Sequence, residues 1–409
     1  MSCRNFTKFT KILLVNLIFF VNLFYNNCLA ELKHHISLTN IEAPILSESS
    51  QISLLTCSSG DMLYSVFGHS AIRVKDDSLR IDIVFNYGTF DFDTPFFTIK
   101  FMNGDLNYML AYTTYDRFIR SYTYEKRSVT EGVINLNHTE KQLVWDYLVW
   151  NSQPENRSYR YDFFFDNCAT RIRDIFFDIK NISIQPNDNK ISSTTFRDYI
   201  HSHLPASTWT AQGIDFLLGA KTDRTANYYD RAFLPLYLDS LFVNYNVISL
   251  QKSVLKGSVK PYSNSDDMWV TPDLLGFLLV LFAIMFTILE YCKHKYIKFF
   301  DLFLFTICFL LSLLFWYLWL FTKHEVCSLN ANVLWASILY FPIIICIVQN
   351  NFKNLTLVLS FLNILFLIAF FMLTILNVQD TPSLSIELSI ALLIRNVALF
   401  CKCYKLKYA

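Results

Sequence analysis

Two short stretches carry residue types that can do nucleophilic chemistry. Asp166-Asn167-Cys168-Ala169-Thr170-Arg171 closes an extended run and opens a helix. Ile172, Ile175, Phe176 and Ile179 follow Cys168 at spacings of four, seven, eight and eleven, which predicts the thiol on the inward face of the first turn. A helix N-terminus offers unpaired N–H groups and partial positive charge. Both lower a thiol's pKa from ~8.5 toward neutral, and the same groups can hold an oxyanion. A small buried apolar cysteine is the alternative. A thiol also needs a base, and His69 in Gly68-His69-Ser70-Ala71-Ile72-Arg73-Val74 stands at the start of a predicted strand. If the following hairpin turns tightly at Asp77-Ser78, His69 lies directly opposite Asn86, which would orient the imidazole in a Cys–His–Asn set. A one-residue change in that turn would take Asn86 off the site. Asn167 and Tyr64 are further candidates for oxyanion or site support.

Other candidates are poorer. Cys57, in Thr56-Cys57-Ser58-Ser59-Gly60-Asp61, ends a strand, and a Cys57–Cys168 disulfide in an oxidising compartment would make both residues structural. His201-Ser202-His203 lacks a third metal ligand, and His34-His35 reads as surface, so neither a metal nor a cofactor is expected.

The chain around these residues is 53% hydrophobic and only 17% charged, whereas soluble domains are nearer a quarter charged. Phe (39) and Tyr (23) are abundant and Gly (9) and Pro (10) scarce, which excludes collagen-like, linker-rich and disordered chains. With 35 Lys+Arg against 34 Asp+Glu and no basic stripe, nucleic acid is not an expected partner. Of ten cysteines, Cys3 and Cys28 lie in a leader and six beyond residue 290, leaving Cys57 and Cys168 in the polar middle.

A basic start, an apolar core from Ile12 to Phe24 and a small Ala30 read as a secretory signal over 1–30, with an uncleaved anchor as the alternative. Residues 31–247 read as an exported domain, 248–270 as a linker ending at Trp269, and 271–409 as five membrane helices at 274–291, 302–321, 331–348, 355–376 and 383–401. Lys293, Lys295, Lys298, Lys353, Lys402, Lys405 and Lys407 fall on one side of those spans. The positive-inside rule therefore puts the exported domain outside and the C-terminus in the cytoplasm. Arg395, inside the fifth span, reads as a snorkelling residue or an inter-helix or lipid-headgroup contact. Within the exported domain, strands are predicted at 52–57, 70–75, 80–87, 106–113, 128–137 and 158–164. Helices are predicted at 115–126, at 140–151 behind a Thr139-x-x-Gln142 capping box, and at 168–178, with a helical region from 192 to 247.

Three stretches resemble one family. They run from Thr56 through Gly68-His69-Ser70 to Val74, from Phe85-Asn86-Tyr87-Gly88 to Phe92, and from Tyr159 through Phe165-Asp166-Asn167-Cys168-Ala169-Thr170-Arg171 to Arg173. Together with the helix count they resemble the Lnb family of Gram-negative membrane proteins. Ser59 departs from the family's pattern, which has Pro there, and touches only a turn. The resemblance implies an α+β exported domain similar to permuted papain-like enzymes of the lecithin:retinol acyltransferase type, followed by five transmembrane helices in the inner membrane. It implies transfer of an acyl chain from a membrane phospholipid to the α-amino group of the N-terminal cysteine of a diacylglyceryl lipoprotein, with Cys168 as nucleophile and His69 as base. Asn86 rests on the geometric reading alone. A thioester suits this exchange because the lysophospholipid can leave before the acceptor arrives. The aromatic and Leu-rich segment from Phe196 to Leu241 could line an acyl groove or form plain helical core. A membrane-anchored cysteine peptidase or amidase uses the same residues, and a non-enzymatic scaffold would carry the Cys57–Cys168 disulfide.

Overall fold

The computed structural model describes residues 43–91, 93–183, 193–258, 270–350 and 354–408. The leader at 1–30 and Trp269 lie outside the described residues, and everything below concerns the unit Ile45–Ala409.

The exported part is built on one antiparallel sheet: β1 (Gln51–Cys57), β2 (His69–Asp76), β3 (Ile81–Thr89), β4 (Asn107–Thr114), β5 (Val129–Ile134), β6 (Ser158–Arg160) and β7 (Ile248–Leu255). Their spatial order is β6-β4-β3-β2-β1-β5-β7. The helices beside it are α1 (Phe97–Asn103), α2 (Tyr115–Tyr124), α3 (His138–Asn151), α4 (Cys168–Ile179), α5 (Phe196–His201), α6 (Trp209–Leu217) and α7 (Pro235–Asn244).

Strand alternation sorts the core. Leu55, Cys57, Ala71, Val84 and Val129 face Phe118 and Tyr122 of α2. The opposite face meets α3, α4 and α7. Phe85 packs edge-on against Trp145 with ring centroids 6.1 Å apart, and the Tyr87 hydroxyl donates to Asn151 Oδ1 at 2.6 Å. Central β2 is buried along most of its length. It tolerates Arg73 because that guanidinium is held by Asp82 at 2.8 Å and Glu131 at 3.0 Å and stacks on the Tyr115 ring.

Three local expectations change. The box that starts α3 is Asn137 with Glu140, whose backbone N–H and carboxylate exchange bonds with Asn137 at 2.9 and 2.8 Å. Gln142 reaches instead to the Leu46 N–H and to Asp146. Residues 248–255, read as linker from their Ser, Gln and Lys content, form edge strand β7 on β5. An edge strand exposed on both faces needs no apolar alternation, so its composition hides it. Helix α1, between β3 and β4, carries no buried residue and was not expected.

Beyond Val270 come α8 (Pro272–Lys293), α9 (Lys298–Phe321), α10 (Asn332–Trp335), α11 (Tyr340–Val348), α12 (Asn354–Ile375) and α13 (Ser383–Tyr408). Among the described residues four helices, α8, α9, α12 and α13, are long and apolar enough to cross a membrane. The expected span at 331–348 is broken into α10 and α11. Pro342 has no N–H to give to a helix running on from α10, and Asn332 Oδ1 pins α10 in place by accepting from Trp335 Nε1 at 2.7 Å and from the Ser385 hydroxyl of α13 at 2.9 Å. Trp335 and Tyr340 are fully buried, so the break lies inside protein, where a broken helix at membrane depth is tolerated.

Arg395 does not snorkel. It is fully buried and bonded to Asp301 at 2.6 Å, Glu290 at 2.9 Å and Thr287 at 2.8 Å, tying α13 to α9 and α8. The exported domain docks directly on the helices. Gln212 Nε2 donates to the Ser383 hydroxyl at 2.9 Å, Asn330 Nδ2 to the Phe216 carbonyl at 2.8 Å, and the Gly219 N–H to the Val326 carbonyl at 2.8 Å.

Candidate active site

Asn167 fixes the start of α4. Its Oδ1 accepts from the Ala169 and Thr170 N–H groups at 2.8 and 3.0 Å, while Thr170 Oγ1 accepts from the Asn167 N–H at 2.8 Å. Both amide hydrogens of Asn167 are used as well, on the carbonyls of Phe163 at 2.6 Å and Phe233 at 2.8 Å. Asn167 therefore supports the site by holding the helix start and has no donor left for an oxyanion. Arg171, one turn on, grips Asp166 at 2.5 and 2.8 Å and stacks on the Tyr159 ring at 3.6 Å, which locks the loop leading into Cys168.

The thiol sits where two strands part. Pairing of β2 with β3 runs from Asp76↔Ile81 to Ile72↔Phe85, although β2 begins at His69 and β3 continues to Thr89. Past that point the backbone N–H groups of Ser70, Cys168 and Ala169 lie near enough to the sulfur of Cys168 to favour its thiolate. Gly88, at φ +85°, lies against the thiol. A Cβ there would stand 3.7 Å from Cys168 Cβ and 4.0 Å from the Tyr161 ring, in a backbone conformation that side chains avoid. Three N–H donors pull the thiol pKa down, but burial outweighs them and pushes it up. The expectation of a thiol lowered by the helix N-terminus is thus reversed by desolvation.

His69 is half-buried, and its Nε2 lies 3.2 Å from Asn86 Oδ1. An amide oxygen only accepts, so Nε2 carries the hydrogen and Nδ1 keeps the lone pair. The Asn86 amide is held in this sense by its Nδ2, which points to the Val84 carbonyl at 3.4 Å. Burial pushes the imidazole pKa down to about 4, against the raising effect of Asn86. The contact forms by a different register from the one read in the sequence. Asp77–Arg80 makes a four-residue turn, with Asp76 Oδ1 accepting from Ser78 and Leu79 and Arg80 at φ 55°, so Asn86 comes level with Ala71 rather than His69. A slip of two residues keeps the face and brings the pair together diagonally.

Gly68 shapes the approach to His69. At φ +83° it passes so close to β1 that a Cβ would stand 2.7 Å from the Cys57 carbonyl. Cys57 and Cys168 are both free thiols. Cys57 is buried against Tyr122 on the α2 side of the sheet, and burial pushes its pKa up to about 12. Tyr64 lies on the 3-10 turn Leu63–Ser65 and is 74% exposed. His201 pairs with Asp215 at 2.9 Å beside the buried Arg197, and no group of metal-binding side chains occurs among the described residues. Arg127 was missed, as were Tyr159 and Tyr161. The Arg127 charge acts on Cys168, His69 and Cys57 alike, and its Nε is fixed by the Ser58 carbonyl at 2.8 Å. Nothing in its local sequence marks it, whereas Tyr159 and Tyr161 could have been flagged by alternation in the strand leading to Cys168.

Residues 39–202, which hold Cys168, His69, Asn86 and Arg127, match the model of the Lnb N-terminal periplasmic domain, and residues 263–407 match that of the Lnb transmembrane domain. The chain belongs to the Lnb-type family. Comparison with curated proteins and with solved structures found no match. As an Lnb-type protein it carries a periplasmic N-terminal domain on a membrane-embedded helical domain. In this Lnb-type chain Cys168, His69 and Asn86 all belong to the periplasmic part.

Proposed function

We propose that the protein transfers a fatty acyl chain from a membrane phospholipid, through a thioester on Cys168, to the α-amino group of the N-terminal cysteine of a diacylglyceryl lipoprotein. The observation that carries this reading is a thiol at the first turn of α4, packed against Gly88 of the strand whose Asn86 bonds the His69 imidazole, in a periplasmic domain docked on membrane helices. His69 Nδ1 takes the thiol proton as sulfur attacks the ester carbonyl of the donor, and the Cys168 N–H, which the Asn167 cap leaves free at the start of α4, holds the oxyanion. The C–O bond breaks, the imidazolium returns its proton to the departing alkoxide, and lysophospholipid leaves. The acceptor's amine then attacks the thioester, its proton passes to His69, and the amide forms as the thiolate departs and is reprotonated. These are the roles that a permuted papain-like enzyme gives its cysteine and histidine.

The membrane in question is the inner one, with the C-terminus in the cytoplasm. Phe321 and Ser383, at the ends of α9 and α13 that face the periplasmic domain, lie opposite the ends bearing Lys293, Lys295, Lys298, Lys402 and Lys405. The test is Cys168→Ala in cells that depend on this chain. Mass spectrometry of a lipoprotein's N-terminal peptide should show a diacylated, free amino terminus. Full triacylation would contradict the proposal.

A further inference from the structure

Helix α1 has an unusual surface. Phe96 (76%), Ile99 (56%) and Met102 (42%) are exposed at successive spacings of three, forming one apolar stripe with no protein against it among the described residues. Its level is fixed by α9. Tyr317, one turn before that helix ends at Phe321, donates its hydroxyl to Asn103 Oδ1. The Lys323 N–H donates to the Asn103 carbonyl at 2.9 Å, Lys323 Nζ meets Asp105 at 2.6 Å, and His324 Nε2 lies 3.1 Å from the Phe101 carbonyl. α1 thus lies beside the last turn of a membrane-spanning helix, where Leu320 and Phe321 are themselves 60% and 72% exposed. A short apolar stripe at that depth, with Lys100 on the same helix, suits the headgroup and upper acyl region of a bilayer.

The other side of α1 opens onto a row of rings. Phe101 stacks on Phe97 at 6.3 Å, Phe97 meets Phe90 at 5.8 Å, Phe90 meets Tyr108 at 5.2 Å, and Tyr108 stacks on Tyr161 at 4.2 Å. Tyr161 and Cys168 converge on Gly88. The row is continuous from the membrane-level helix to the thiol.

We infer that α1 dips into the periplasmic leaflet and that the row Phe101, Phe97, Phe90, Tyr108 and Tyr161 guides one acyl chain of a bilayer phospholipid to Cys168. The membrane contact stands by itself, while the guidance rests on the acyl-transfer reading above. A row of rings binds a methylene chain without hydrogen bonds, so it does not hold the chain once the acyl group has passed from Cys168 to the acceptor.

The test uses the full-length chain in vesicles of phosphatidylethanolamine and phosphatidylglycerol. A benzophenone amino acid is placed at Ile99, with Leu310 on the lipid-facing side of α9 as positive control and Tyr124, which is 90% exposed on the periplasmic domain, as negative control. Light should yield phospholipid adducts at positions 99 and 310 and none at 124. Adducts at 310 without any at 99 would overturn the membrane contact. Phe97→Ala and Tyr108→Ala should each slow acylation of Cys168 by vesicle phospholipid at least tenfold while leaving acylation by a short-chain, water-soluble phosphatidylcholine within twofold. Equal losses with both donors, or no loss with either, would overturn the guidance. Phospholipid adducts at position 99, together with a wild-type chain that accepts no acyl group from either donor, would refute the acyl-transfer reading and the guidance together, leaving only the membrane contact.

Discussion

At Cys168 two effects oppose each other and the larger one decides the chemistry. The N–H groups of Ser70, Cys168 and Ala169 favour a thiolate, burial disfavours it, and burial wins, as it does at His69. Both groups therefore rest uncharged, and in the proposed transfer deprotonation accompanies attack. The base form of His69 is lost only as pH falls through about 4, so turnover should keep its base across the range from about 5 to 7 and fall on an acid limb near 4. A pH profile of transfer with an acid limb near 6.5 would contradict this. The same depressed pKa means that the unfolded chain binds a proton the folded one refuses between about 6.5 and 4. This group's contribution to stability is therefore lost as pH falls through that window. Asn86 raises the imidazole pKa, so Asn86→Ala should move the acid limb lower still and cut kcat by about tenfold or more, through loss of ring orientation. Gly68→Ala combines φ +83° with a 2.7 Å clash against the Cys57 carbonyl and should cost about 1–3 kcal/mol, read as a fall in unfolding temperature.

At the scale of elements, the way α4 begins was legible and its surroundings were not. The Asp-Asn-Cys opening, the apolar spacing behind it and β1 to β4 follow from local pattern, because periodicity and capping are short-range properties. The register of the β2–β3 hairpin was misread by two residues because Asp76 Oδ1 builds a wider turn than Asp77-Ser78 implied. Edge strand β7 and interfacial helix α1 escaped notice for one reason. Both lie where partners are few, so neither shows the apolar alternation that reveals a buried element. Of the readings open for Arg395, the inter-helix contact is the one formed, and its carboxylate partners, 94 and 105 residues away in sequence, leave no local mark. Asn167→Ala should destabilise by about 1–2 kcal/mol through the lost cap and should lower transfer further than that loss of fold explains, since the thiol rides on the same turn. Arg395→Met leaves Asp301 and Glu290 buried without their cation and should cost about 3–5 kcal/mol, measurable as thermal unfolding in detergent.

Across the whole molecule the chain divides its composition by place. The low charge gathers in the membrane helices, Phe is shared evenly between them and the periplasmic domain, and the periplasmic domain keeps the titratable site. The two are not joined by a tether alone, because α6 and the turn at Gly219 bond directly to the outer ends of the helices. In the proposed transfer, such a fixed docking would hold Cys168 at one height above the leaflet and so raise the effective concentration of both lipid-borne substrates without tight binding. The central claim is that an acyl group resides on Cys168, and it is tested most directly by intact-mass analysis of the full-length protein after incubation with phospholipid vesicles. The account expects one added acyl group, removable by neutral hydroxylamine, mapped to the Cys168 peptide and absent from Cys168→Ala. An acyl adduct that persists in Cys168→Ala, together with lipoprotein triacylation by that variant, would contradict it.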